Sequence, residues 1–252
     1  MSHAIRRPTM QTSLNNILKS GVEINTVLDV GVSSRTKPLI DVFPDKIHHL
    51  FEPVDTHFKH IRNHYNKIEH VLHQVAISDS DGDMYLACKA IRNDGIITHS
   101  RLVENKLTKD DMPNLVSCNK VRRAKLDTIV SEYNIEGPYI LKIDVDGHEM
   151  NILKGAAQTI EDSSILVIEA PLPRIAFPQF FERAMYLLDH GFFLIDIVDL
   201  AYYDGILWQA DLVFVKKEIA QKHQKLLLWQ SKSFNFEMDK WYVLGDDKFE
   251  NK

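Results

Sequence analysis

Short runs, mostly apolar, constrain this chain more than anything else in it: TVLDV (26–30), HHLFE (48–52), YILKIDV (139–145), SILVIEA (164–170) and FFLIDIV (192–198). Continuous apolar runs without polar alternation suit strands covered on both faces, and such strands belong to parallel sheets. Helical stretches fall among them, at about 36–43, 55–67, 125–134, 148–160 and 177–190. Strand–helix alternation at this spacing predicts βαβ units and a doubly wound α/β domain. VLHQVAIS (71–78) reads as one more strand and MYLAC (84–88) as a short one. ADLVFVK (210–216) alternates, which suits an antiparallel strand closing the series. Residues 13–20 read as a short helix closed by Gly21. The span 89–120 reads as irregular and polar, and 218–252 as a charged helix with an irregular end.

Composition narrows the class. With 44% hydrophobic and 26% charged residues, 10 glycines and 9 prolines, the chain is neither disordered nor collagen-like. A net charge of −5 lacks the footprint of a general nucleic-acid binder. Cys88 and Cys118 form no disulfide framework or zinc pattern, so two reduced thiols in a cytoplasmic protein are expected. No apolar run approaches the roughly 18 residues that span a bilayer, and the N-terminus lacks a signal peptide's apolar stretch.

Ligands of open α/β sheets bind beyond the C-terminal ends of the strands. Those ends carry Asp29, Glu52, Asp144 and Glu169. The first turn, D-V-G-V-S-S-R-T, keeps Gly31 but has Ser33 and Ser34 in place of the further glycines of a dinucleotide fingerprint. Glu52, about twenty residues on, is placed for a ribose diol. Alternation in I-L-K-I-D-V-D puts Lys142, Asp144 and Asp146 on one side, where Lys142 either pairs with Asp144 or shapes the site. Asp146 and Glu149 have capping-box spacing. His148, in the first turn of that helix, is either a surface histidine or a general base. An antiparallel last strand would bring Asp211, with Gln209 before it, to Glu169. Asp144, Glu169 and Asp211 could then bind a divalent cation such as Mg2+, or substrate hydroxyls.

The block L-K-I-D-V-D-G-H-E-M-N-I-L-K-G-A (141–156) resembles the hallmark of the FkbM family of S-adenosylmethionine-dependent methyltransferases, L-K-I-D-x-E-G-x-E-x-x-x-L-x-G-A. V-L-D-V-G (27–31), L-F-E-P (50–53), V-A-I-S-D (75–79), K-L-D-T-I (125–129), I-E-A (168–170) and Q-A-D-L-V-F-V (209–215) agree in order. Asp146 stands where the family has glutamate, and His148 where an aromatic residue is common. The resemblance implies a Rossmann-like class I methyltransferase: seven strands, mostly parallel, the last antiparallel, with helices on both faces. It implies a domain over 27–217, between an N-terminal helical extension (1–26) and a C-terminal helix and tail (218–252).

Carried over by position, Asp29, Gly31, Ser33 and Ser34 would meet the methionine end of the cofactor. Glu52 and Pro53 would lie at the ribose, Ala76, Ile77 and Ser78 at the adenine, and Asp144 on the methyl-donor side. Asp144 or His148 would take the acceptor's proton, with Lys142 shaping the site. The expected acceptor is a hydroxyl of a sugar, glycan or secondary metabolite. A cofactor-binding protein without catalysis and a nicotinamide-dependent oxidoreductase are the competing readings.

Overall fold

The computed structural model describes residues 8–90, 96–172, 177–223 and 226. It begins with α1 (Met10–Leu18), where Thr9 and Thr12 form a reciprocal capping box that starts the helix earlier than expected. β1 (Thr26–Val30) is buried at every position and leads into α2 (Lys37–Val42). β2 (Ile47–Phe51), α3 (Phe58–His64) and β3 (His70–His73) complete the first half of the main sheet.

The chain then leaves that sheet. Residues 71–78, expected as one strand, are two. After His73 the chain turns into β4 (Ala76–Ile77), which pairs in parallel with β7 (Leu115–Ala124) of a second sheet. β5 (Gly82–Lys89) and β6 (His99–Val103) complete this four-stranded sheet, in the order β4-β7-β5-β6. The span 89–120, expected to be irregular, therefore contains β6 and the first half of β7, while 104–114 between them is free of strand. Its strands have one poorly covered face, with exposed Val116, Asn119 and Lys120 along β7, so they lack the continuous apolar runs that announce the main sheet.

α4 (Leu126–Glu132) returns the chain to the main sheet at β8 (Tyr139–Ile143), again fully buried. The helix expected over 148–160 is broken into α5 (Glu149–Lys154) and α6 (Ala157–Glu161). The break is at Gly155, where an added Cβ would lie 1.9 Å from the Ser78 carbonyl oxygen; only glycine permits that approach. β9 (Ser163–Pro171), α7 (Phe177–Asp189), β10 (Phe192–Tyr203), β11 (Ile206–Lys216) and α8 (Lys217–Lys222) follow.

The main sheet has the order β10-β11-β9-β8-β1-β2-β3. β11 is antiparallel to both neighbours and the other pairings are parallel, as the resemblance implied. Leu28, Val30, Leu141, Ile143 and Ile168 pack on one face with Ile152 and Leu153 of α5, Leu126 of α4 and Leu187 of α7. Val27, Ile140, Val167 and Val213 pack on the other with Leu14 and Ile17 of α1, Leu39 of α2 and Ala220 of α8. Truncating a fully buried leucine such as Leu28 or Leu141 costs about 2–5 kcal/mol, so the strand positions and the sheet edge are firmly set. No helix among the described residues is long and apolar enough to cross a membrane.

Candidate active site

A cavity of about 530 Å3 opens beyond the C-terminal ends of β1, β2 and β8. Its size falls in the usual range for small-molecule and cofactor sites. Its floor is the turn after β1, and the physical reason for that turn's shape is Gly31. The residue has φ +86°, and a Cβ there would sit 1.9 Å from the Asp144 carbonyl oxygen. β1 and β8 thus touch through bare backbone at the middle of the site, which a side chain would force apart.

Glu52 fixes the next stretch of the wall. Its two carboxylate oxygens accept the backbone N–H groups of Ser33 and Val54, each at 2.8 Å, and the His57 imidazole stands 3.5 Å away. Ser33 has φ +53°, a conformation that this hydrogen bond helps to hold.

Beneath the turn lies a buried ionic network. The Lys142 ammonium is 3.0 Å from Asp144 Oδ2 and 3.5 Å from Asp29 Oδ1, with the Gly31 carbonyl at 3.4 Å and the Thr36 hydroxyl at 3.5 Å. Burial opposes its charge, but Asp144 and Asp29 outweigh burial and hold its pKa above the usual lysine value. The Tyr65 hydroxyl donates to Asp29 Oδ2 at 3.3 Å and accepts from Thr36 N at 3.2 Å. Burial, then the charge of Asp29, pushes this phenol up, so it remains a donor.

The expected site residues divide accordingly. Gly31, Ser33, Ser34, Glu52, Pro53, Ala76, Ile77, Lys142, Asp144 and His148 all line the cavity. Asp29 lies behind the wall with no exposed surface. Ser78 is also behind it, its hydroxyl 2.9 Å from His148 Nε2. Burial pulls the His148 pKa down, which Asp79 opposes and Arg123 reinforces, so the ring favours its neutral form.

Two expectations are corrected. Asp146 and Glu149 do not form a capping box, because both are committed elsewhere. Asp146 accepts from Ser100 N at 3.2 Å and faces His99 of β6 at 3.7 Å, which pins the second sheet over the cavity. Glu149 is fully buried in an ion pair with Arg183 of α7, and also accepts from Gly147 N.

The carboxylate cation set is the second. Asp211 and Glu169 are directly opposed in the β9–β11 register, as expected. However, no group of three His, Cys, Asp or Glu side chains among the described residues is placed to hold a metal ion. Asp144 is taken by Lys142, and Glu169 accepts from Gln209. Burial, with Asp144 and Asp211 nearby, raises Glu169 to about 9; burial and Asp144 raise Asp211 to about 7.

Sequence reasoning missed the far wall. Leu86 of β5, Ile97 to Leu102 around β6, Arg35 to Pro38, His57, Met10 and Asp199 also border the cavity. Asp199 has φ +49°, accepts from Met10 N at 3.0 Å through Oδ2 and donates its own N–H to Pro8 O at 2.8 Å. Nothing in the sequence pairs residues 8–10 with residue 199; only the β-period of M-Y-L-A-C-K hinted at a wall strand.

Among solved structures, the chain is similar to a precorrin-6y C5,15-methyltransferase from Geobacter metallireducens GS-15 (9% identity, 85% of this chain and 93% of that one, TM-score 0.40). It is similar also to the N-methyltransferase NodS from Bradyrhizobium japonicum WM9 (7%, 82% and 93%, 0.43). A third is Aeropyrum pernix fibrillarin in complex with natively bound S-adenosyl-L-methionine (10%, 79% and 74%, 0.42). At these TM-scores the likenesses bear no weight on mechanism or substrate. No curated protein matches the sequence. The family model of the methyltransferase FkbM domain matches residues 29–194, from the buried aspartate of β1 into β10. With the greater part of its length matched, the chain belongs to the FkbM family of S-adenosylmethionine-dependent methyltransferases.

Proposed function

We propose that this protein transfers the methyl group of S-adenosylmethionine to a hydroxyl oxygen of a sugar, glycan or hydroxylated metabolite. The observation that carries the reading is Asp144. Its carboxylate stands on the cavity wall with 41% of the side chain exposed, while Lys142 holds it from behind at 3.0 Å. A fixed, solvent-reachable carboxylate at the end of the central strand is what a hydroxyl acceptor requires.

The residues present fit the cofactor. Glu52, on the wall and already an acceptor for two N–H groups, suits the ribose diol. The bare backbone at Gly31 and the Ser33–Ser34 turn suit the methionine end, with Asp29 fixing that turn through Tyr65 and Thr36 from behind. Pro53, Ala76 and Ile77 supply an apolar slot for the adenine, backed by Ser78. When bound, the cofactor supplies an electrophilic methyl carbon.

The chain's own part is then to align the hydroxyl and remove its proton. Asp144 accepts the proton from the hydroxyl oxygen as the methyl is transferred, and Lys142 keeps that carboxylate aimed. His148 favours its neutral form, but its Nε2 is engaged by Ser78. Asp144 is therefore the preferred base. The second sheet, tied down through Asp146, forms the wall opposite Asp144.

Transfer of radiolabelled methyl from S-adenosylmethionine to mono- and oligosaccharides is the direct test, with calorimetry on S-adenosylhomocysteine alongside. Asp144→Asn should bind S-adenosylhomocysteine within about threefold of wild type and lose at least about a hundredfold in transfer, the lower range for a general base. Full transfer by that variant would remove Asp144 from the chemistry.

A further inference from the structure

The last hairpin of the main sheet overruns its neighbours. β9 reaches Pro171, opposite Gln209, and Leu172 N still donates to Trp208 O at 2.8 Å; β10 and β11 continue together past that point to a turn at Asp204–Gly205. At about 3.4 Å per residue the overhang is roughly 7 Å. β10 runs parallel with β8 and β9, so this tip stands over the edge of the sheet where Asp144 lies. The hairpin is joined to the cavity directly. Asp199 lines the cavity, and the strand register shifts between Val198 and Ala201, a bulge that turns the ribbon.

The overhang carries large side chains in the open. Tyr203 is 71% exposed, Ile206 68%, Tyr202 63% and Trp208 47%. The Tyr203 and Trp208 rings meet edge to face, with centroids 5.7 Å apart. Such a ridge beside a binding cavity marks a contact site.

Its chemistry favours one occupant. The electron-rich faces of Tyr and Trp attract the weakly positive C–H edges of a pyranose ring. The phenol and indole tips, with the carboxylate of Asp204 at the turn, meet hydroxyls around such a ring. An anionic membrane surface would be repelled by that aspartate and by the chain's net charge of −5. A second copy would need roughly 800 Å2 of contact per partner. Three rings of roughly 200 Å2 each, 47% to 71% exposed, supply about half of that.

We propose that the hairpin is an acceptor subsite for a glycan longer than the cavity: the sugar to be methylated enters beside Asp144, and a ring several units along the same chain stacks on Trp208 and Tyr203. The proposal rests on the reading of this protein as an O-methyltransferase of glycans, and it adds where the rest of the glycan is held.

The test is retention of the protein, loaded with S-adenosylhomocysteine, on an array of immobilised neutral and acidic oligosaccharides. Wild type should bind a defined subset. Trp208→Ala and Tyr203→Ala should each lose at least tenfold of that binding and Tyr203→Trp should keep it, while the calorimetric Kd for S-adenosylhomocysteine stays within twofold in all three. Unchanged retention by both alanine variants would overturn the subsite and leave the O-methyltransferase reading intact. The same holds if wild type methylates soluble monosaccharides but is retained by no oligosaccharide. No retention and no methylation of any saccharide would overturn both. Light scattering that shows a dimer dissociated by Trp208→Ala, or vesicle binding abolished by it, would assign the ridge to a second copy or a membrane and overturn the proposal.

Discussion

Replacing Lys142 by methionine tests the core of the site without touching its shape. The ammonium lies between Asp29 and Asp144, with 5% of the side chain exposed. Asp144 reaches solvent, so losing its partner costs that residue little. Asp29 has no exposed surface, and in the variant its carboxylate would keep only the Tyr65 hydroxyl at 3.3 Å. Removing one partner of a buried pair costs about 3–5 kcal/mol, because the other charge is stranded. With a slope near the upper end of the roughly 1–3 kcal/mol per molar range for urea, the unfolding midpoint should fall by more than about 1 M.

The double variant Lys142→Met/Asp29→Asn should recover at least half of this loss. Urea titrations of wild type, Lys142→Met, Asp29→Asn and the double variant give these quantities. A single variant within about 1 kcal/mol of wild type, or a double variant no better than the single, would refute the account of Lys142 as the counter-ion of Asp29.

Glu52→Ala should weaken S-adenosylhomocysteine binding by about 1–3 kcal/mol, because the Ser33 and Val54 N–H groups lose their acceptor and the loop loosens; calorimetry with unchanged affinity would mean the loop holds without it. Gly31→Ala should lose more than about 2 kcal/mol of stability, from an L-residue at φ +86° and a backbone collision, read as a shift in the unfolding midpoint. Arg183→Met should cost about 3–5 kcal/mol by stranding buried Glu149, and Arg183→Met/Glu149→Met should cost less than either single change.

The stacked pair His49 and His73, bonded at 2.9 Å, sets an acid limit. Burial lowers each to about 4, against about 6.5 in the unfolded chain, so the unfolded state takes up more protons between those values. Stability from this pair is present above pH 6.5 and lost as the pH falls to about 4; His49→Gln should flatten the urea midpoint over that window, and an unaltered slope would exclude the pair.

The parts legible in the sequence are those whose burial is two-sided. β1, β8 and β9 are buried on both faces, so their apolar runs needed no context, and Asp29, Glu52, Asp144 and Glu169 could be placed at one sheet edge. The second sheet was not legible because its strands show alternating or mixed exposure, and because Ala76–Ile77 changes partner within a stretch, 71–78, that reads as one strand. The fates of Asp146 and Glu149 were hidden for a different reason. Their spacing fits a local cap, but their partners are His99, Ser100 and Arg183, tens of residues away, and long-range pairs leave no mark on spacing. Asp211 opposite Glu169 was foreseeable because an antiparallel register fixes it; that burial raises both carboxyls depends on burial depth, which a sequence does not state.

The contact between Gly155 and Ser78 has a consequence for how this chain can change. Ser78 belongs to the entry into the second sheet, and Gly155 to the turn between α5 and α6. Around them, Gly155 O accepts from Asp127 N, Asp127 takes the N–H groups of Gln158 and Thr159, and Asp81 takes Lys125 N and the Thr128 hydroxyl. The four-stranded sheet is therefore tied to α4, α5 and α6 by the Asp81 and Asp127 carboxylates and by close backbone contact at Gly155. A chimera carrying another family member's insert must import residues 124–128 and 155–159 with it, and a chain shortened by joining His73 to Leu126 would expose these contacts and fail to fold.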